Sequence, residues 1–217
     1  MTSLDVASID HPILAVPVGS CEQHGGHLPL GTDSIIAEYL CDGLAAVNGR
    51  VVVAPTITIS SSGEHEGFAG TLSIDSIATT STLIELVRSA HWASSIVFVN
   101  GHGGNIAAVA EAVALLRAES RHVTDWWPRI DGDAHAGHVE TSIMLHVANG
   151  LVNSDRLEAG DVRPLREIAG ALRTGGVRGV SPNGVLGDPR TASSAAGAEI
   201  VEGLIGQLLD HVSVHHT

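Results

Sequence analysis

Three short segments concentrate the residues able to hold a cation and move protons. The first is Glu22-Gln23-His24-Gly25-Gly26-His27, followed by Asp33. The second is Asn100-Gly101-His102-Gly103-Gly104-Asn105. The third is Asp131-Gly132-Asp133-Ala134-His135-Ala136-Gly137-His138-Val139-Glu140. Glu22 and His24 stand two residues apart, so an extended backbone turns both to one side, where one cation can accept both. A neutral imidazole suits zinc, iron or manganese, which makes His102 a candidate ligand. Asp33 is typed either to cap a helix or to bridge metal ions above the loop before it. Glu140 precedes Ile143, Met144 and Leu145, where a buried carboxylate is costly unless a cation or hydrogen bonds compensate it. Glu140 is therefore a candidate ligand, and His135, just ahead of the same helix, a candidate proton carrier.

Each of these residues has a plainer reading on its own. Glu22 is then a solvated loop residue, His27 a hydrogen-bonded bystander, Asp33 an N-cap, and Glu140 an acid complementing a helix dipole. Two glycine-rich loops that each place a histidine beyond an apolar run favour the ligand reading for the set. The stretch Ser62-Gly63-Glu64-His65-Glu66-Gly67 reads as a loop at the mouth of the site, so His65 is a candidate substrate-binding residue. The amides at Gly103 and Gly104, opening a helix, are candidates to receive an oxyanion.

Other chemistries find little support. There is no G-x-S-x-G elbow, Cys21 lacks the electropositive surroundings of a thiolate nucleophile, and the absence of lysine excludes Schiff-base and P-loop chemistry. Water activated by one or two divalent metal ions (Zn, Fe or Mn) remains. The net charge of -13 argues against nucleic acid and anionic membranes as partners. Two cysteines form no disulfide framework, and neither a signal peptide nor an apolar run of about 20 residues is present, so the expected location is cytoplasmic.

The elements that must position these residues alternate between strand and helix. Ile13 to Val18, Val51 to Ile59, Ile96 to Val99 and His122 to Trp127 read as strands. Asp33 to Val47, Ser76 to Trp92, Asn105 to Glu119, Gly137 to Ala148 and Ser194 to His211 read as helices, with Asp33, Ser76 and Asn105 as N-caps. This alternation predicts one domain over residues 1–217, a three-layer α/β/α sandwich with a mainly parallel sheet. Ligands in such sheets sit beyond the carboxyl ends of the strands, where all three loops fall. Leu165 to Arg190 shows no clear period; Gly175 to Gly187 reads as an ordered loop and Val214 to Thr217 as a frayed tail.

Glu-x-His-Gly-x-His ending in Asp, Asn-Gly-His-Gly-Gly-Asn, and His-Ala-Gly-x-x-Glu-Thr-Ser together resemble the creatininase family, over the chain from about Ile13 to the final helix. Within it, Gly70-Thr71-Leu72-Ser73 and Ser181 to Pro189 look most like the mycofactocin-system branch. The resemblance implies homo-oligomers and a metal centre that hydrolyses amides. Glu22, Asp33 and His102 would hold one metal, and His24, the shared Asp33 and Glu140 the second. The branch implies a modified ribosomal precursor peptide as substrate, cleaved ahead of its C-terminal Val-Tyr-derived pair. The rival readings are a cyclic-amide hydrolase or deformylase acting on a small metabolite, and a non-catalytic binding protein. Creatininase itself carries a glutamate where this chain has Gly104, and Glu140 is the expected substitute. The first loop also departs from the usual His-Gly-Pro-His, with Gly26 in place of proline.

Overall fold

Alternating side chains along two central strands decide the layering. The computed structural model describes residues 1–216, and in it β1 (Ile13–Val18) and β3 (Ser95–Asn100) are buried along their whole length. Successive side chains leave a strand on opposite faces. Ile13, Ala15, Val97 and Val99 join a core with α2 (Thr32–Val47), α5 (His138–Val147) and α7 (Ser194–His215). Leu14, Val16, Val18, Ile96 and Phe98 join a second core with α3 (Ser76–Ser89) and α4 (Ile106–Ala118). With β2 (Val51–Val53) and β4 (Val123–Trp126) the result is an α/β/α sandwich around an all-parallel sheet ordered β2-β1-β3-β4. A short α1 (Ser3–Ala7) precedes the sheet, and α6 (Leu165–Val180) follows α5.

This order places the site. The chain reaches β2 by way of α2 on one face, then passes β1 by way of α3 on the other face to form β3. The connections therefore diverge between β1 and β3, the place where parallel sheets open a crevice for ligands. The two strands end level, Val18 opposite Asn100.

Several boundaries differ from those expected. β2 ends at Val53 rather than Ile59, because Pro55 has no N–H for a ladder; the chain still runs beside β1, with the Ile57 amide donating to the Pro17 carbonyl at 3.0 Å. α3 stops at Ser89, short of Trp92, and its cap is Asp75 rather than Ser76, accepting from the Ala78 amide at 2.7 Å. Gly31 takes the N-cap position of α2, and Asp33 lies inside the first turn. Asn105 precedes α4, but its side chain makes no cap bond. The expected loop from Gly175 begins as helix, since α6 runs to Val180 with a kink at Gly176. α7 runs on to His215 instead of ending at His211. His216 is buried, its Nε2 2.7 Å from Thr124 Oγ1, so the described part of the expected frayed tail is ordered, and Thr217 lies outside the described residues. Among the described residues no helix is long and apolar enough to cross a membrane.

Candidate metal centre

The loops beyond β1 and β3 are stapled by asparagines. Asn100 Nδ2 donates to the His102 carbonyl at 2.8 Å while its Oδ1 accepts the His102 amide at 3.2 Å. Asn105 Nδ2 donates to the Gly19 carbonyl at 3.0 Å, and its Oδ1 accepts the Ser61 amide at 3.2 Å. Asn105 thus ties together three loops rather than capping its own helix. Its burial is complete, and unpaired amide groups there would be costly.

At the centre stands Asp33. Its Oδ1 lies 3.0 Å from His24 Nε2, its Oδ2 lies 3.2 Å from His102 Nδ1, and Ser20 Oγ donates to Oδ2 at 2.5 Å. His102 Nε2 is 3.2 Å from Glu22 Oε2, and His24 Nε2 is 3.9 Å from Glu140 Oε2. Of four donor groups among the described residues, two share Asp33, Glu22/Asp33/His102 and His24/Asp33/Glu140, each with its donor atoms within 4.8 Å of one another. The structure therefore divides Glu22 and His24 between two groups that share Asp33; they meet only in a further group with His135. His24 Nδ1 faces the Glu22 carbonyl at 3.1 Å, an arrangement that puts the hydrogen on Nδ1 in the neutral ring and leaves Nε2 as the donor atom. Glu140 also accepts the Ala136 amide at 2.6 Å, so part of its cost of burial is met by the backbone.

The donors fit a cation. Both Glu22 oxygens are buried without a hydrogen bond, although His65 Nε2 and His102 Nε2 each stand 3.2 Å away. His102 Nε2, so close yet not aligned for hydrogen bonding to that carboxylate, is suited to share an ion with it. Imidazole and carboxylate donors suit zinc, iron or manganese.

Electrostatics point the same way. Burial disfavours a charged His24, but the charges of Asp33, Glu140 and Glu22 outweigh it and lift the imidazole to about 9. Burial likewise opposes a charged His102, yet contacts with Asp33, Glu22 and Glu64 raise it well above the usual range. Burial would push the Asp33 carboxyl up, and the two imidazoles instead hold it well down. Burial and then the Asp33 charge raise Glu22. A centre this rich in carboxylates holds protons on its histidines, and cations would displace them.

His135 and His65 are set by a residue that sequence reasoning passed over. The Gln23 amide is oriented by two backbone partners, Oε1 accepting the Gly25 amide at 2.9 Å and Nε2 donating to the Gly184 carbonyl at 3.0 Å. Gln23 Nε2 therefore donates to His65 Nδ1 at 2.9 Å, leaving the His65 hydrogen on Nε2 toward Glu22. His135 Nε2 donates to the Gln23 carbonyl at 2.8 Å, so Nδ1 is the open nitrogen, 3.8 Å from Glu22 Oε1. Burial, then the charge of His24, lower His135 to about 4. The His135 backbone is pinned by a bridge to Leu186, in the segment after α6. His65, expected at the mouth, is buried within the cluster, whereas His27 turns away to Thr141 Oγ1 at 2.9 Å. Asp133 bonds the amides of His138 and Val139 and so caps α5.

Glu64 was also missed. Its Oε1 lies 3.3 Å from His102 Nε2, whereas the neighbouring Glu66 is exposed. In Gly-Glu-His-Glu-Gly no local pattern separates an inward glutamate from an outward one. A cavity of about 290 Å³ opens over the cluster, walled by Glu22, Glu64, His102, Gly103, Gly104 and His135. Next to it a pocket of about 150 Å³ is lined by Ile36, Ile106, Trp127, Ile130 and Val139.

The chain is similar to known proteins over most of its length. The family profile of creatininase, creatinine amidohydrolase, matches residues 1–212. The chain is 48% identical over 209 residues to the mycofactocin precursor peptide peptidase of Mycolicibacterium smegmatis, covering 93% of this chain and 84% of that relative. It is 44% identical over 214 residues to the protein of the same name from Mycobacterium tuberculosis, covering 93% and 85%. Among solved structures it resembles one described as "Creatininase Mn", with a TM-score of 0.80 and 25% identity over 98% of this chain and 94% of the other.

Proposed function

The chain belongs to the creatininase family, and from that membership we propose that it is a metal-dependent peptidase releasing the modified C-terminal Val-Tyr-derived pair from the mycofactocin precursor peptide. As a family member it is a hydrolase of C–N bonds. The observation that carries the proposal is the pair of donor groups sharing Asp33 beneath an open cavity, in a chain so similar to peptidases of that name. In this reading residues 1–217 form one metallohydrolase domain.

Glu22, Asp33 and His102 would hold one cation and His24, Asp33 and Glu140 the second. Bound there, a divalent cation supplies Lewis acidity to the scissile carbonyl and makes water acidic enough to attack near neutral pH. The remaining work falls to the chain. His135, with its open Nδ1 toward Glu22 and the cavity, takes a proton as water adds to the carbonyl carbon, and returns it to the leaving amine as the C–N bond breaks. The amides around Gly103 and Gly104 line the cavity where the carbonyl oxygen gains charge. The pocket at Trp127 and Ile130 suits an apolar side chain of a peptide.

The rival is a cyclic-amide hydrolase or deformylase using the same centre on a small metabolite, a reading favoured by the 28% identity to creatinine amidohydrolase of Pseudomonas putida. Incubating metal-loaded protein with modified precursor peptide separates the two. Appearance of the shortened peptide and its dipeptide-sized partner by mass spectrometry is the expected result. Intact peptide beside hydrolysis of creatinine or a formylated amine overturns the peptidase reading.

A further inference from the structure

Gly104 leaves a space that another residue fills. A β-carbon at position 104 would fall 2.3 Å from Glu64 Oε1, 2.4 Å from His102 Nε2 and 2.5 Å from the Ser61 carbonyl oxygen. The carboxylate of Glu64 thus occupies the room beside His102 that any side chain at 104 would claim. It arrives from a different loop, the short turn Gly63–His65, and faces the cavity with 35% of its side chain exposed.

We infer that Glu64 is a further metal ligand, completing the Glu22/Asp33/His102 donor set from the cavity side. This rests on the metal-centre reading above and adds a residue to it. Three observations support it. First, Glu64 Oε1 and Glu22 Oε2 lie 3.3 and 3.2 Å from the same His102 nitrogen. Ligand atoms bound at about 2.1 Å to one cation, at tetrahedral to octahedral angles, stand about 3.0 to 3.4 Å apart. Second, Glu64 and Glu22 offer carboxylate oxygens within 4.8 Å of each other. Third, both oxygens of the buried Glu22 lack a hydrogen bond beside it. The Glu64 carboxylate meets His102 from the solvent-facing cavity side, from which it can turn onto an ion.

The rest of the fold holds the turn in place. α6 packs on it, and the helix kinks at Gly176, where φ is 62° and a β-carbon would lie 2.8 Å from the Glu64 carbonyl oxygen. A residue other than glycine at the kink would be strained and would push the turn away. Below the kink, Arg178 bonds the Gly67 carbonyl and lies over the Phe68 ring. The absence of a side chain at 104 and the kink at 176 therefore serve one placement.

The test is a Co²⁺ titration of the full-length, metal-stripped protein against a chromophoric chelator, with the visible Co²⁺ spectrum recorded at each step. Wild type is expected to show two binding steps. Glu64→Gln should weaken one of them by at least about tenfold and change its spectrum, while Glu66→Gln, on the exposed neighbour, leaves both unchanged. Glu64→Asp keeps the charge but withdraws it by one methylene and should weaken the same step, with folding checked by circular dichroism. Wild-type affinity and spectrum in folded Glu64→Gln, beside loss of a step in Glu22→Gln, overturns the Glu64 inference and leaves the metal centre standing. Failure of wild type to bind any Co²⁺ overturns both.

Discussion

Asp33 Oδ1 and His24 Nε2 stand 3.0 Å apart in a setting closed to solvent, and the second oxygen of the same carboxylate reaches His102. One side chain therefore belongs to both donor groups. Asp33→Asn keeps the shape but removes the shared charge, so metal content by mass spectrometry should fall from two ions per chain to fewer than one. Glu140→Gln, which touches only the His24 group, should lose no more than one ion. Full metal content in Asp33→Asn would remove the bridging role.

The metal-free protein should lose stability on the alkaline side of neutrality. The folded His24 imidazole is raised from 6.5 to about 9, and His102 moves in the same direction. A group raised in this way contributes stability in full below its unfolded value and loses it as pH rises through the folded value. Carboxylates held down, such as Asp33, act in the opposite sense and matter only in acid. Between pH 7 and 9.5 the raised imidazoles dominate, and His24 alone corresponds to at most roughly 3 kcal/mol. Thermal melts of metal-stripped protein should therefore shift down over that range. Metal-loaded protein should not follow, because cations have replaced the protons. Parallel pH profiles for the two forms would contradict this account.

Much of this was legible from residue types alone. The apolar runs at β1 and β3 gave the strands, and glycine-histidine loops after them gave the candidate site, because parallel sheets present their ligands at those ends. Candidate cation ligands that are close in sequence or flank a helix, such as Glu22, His24, Asp33 and His102, carry a local signature. Gln23 and Glu64 do not. Their placement depends on Gly184 approaching one side chain and on α6 pressing against the turn that carries the other, contacts across 161 and 112 residues of chain respectively. The α6 region itself was unreadable because Gly175 and Gly176 interrupt its period, and the kink that conceals the helix is the feature that fits it to Glu64. Asp33 and Asn105 misled as caps for a related reason: the residue types that cap helices also suit metal ligation and loop stapling, and tertiary contacts decide which use prevails.

His135 and His102 should separate by what each loses. His135 bonds the Gln23 backbone and belongs to neither group that shares Asp33. His135→Ala should keep its metal and lower kcat by about 10²- to 10⁴-fold, the range for loss of a proton-transfer group. His102→Ala should lose metal first and activity with it. Metal analysis beside steady-state kinetics on the modified peptide checks both, and full activity in His135→Ala would remove it from the reaction.

Gly184 offers a way to disturb the two supported histidines without touching a proposed ligand. Its φ of 82° lies in the left-handed region, and a β-carbon there would fall 1.8 Å from Gln23 Oε1. Gly184→Ala must therefore displace the Gln23 amide, which accepts from Gly25 and contacts His65 and His135. Those rings would lose their orientation while Asp33, His24 and His102 keep theirs. We expect near-normal metal content, a lower melting temperature, and a kcat reduced by about 10- to 100-fold, as when partners behind a functional group are removed. Gln23→Ala should lower kcat similarly without the backbone strain, so its melting temperature should fall less. Equal kcat in wild type and both variants would show that the amide has no part in setting His135.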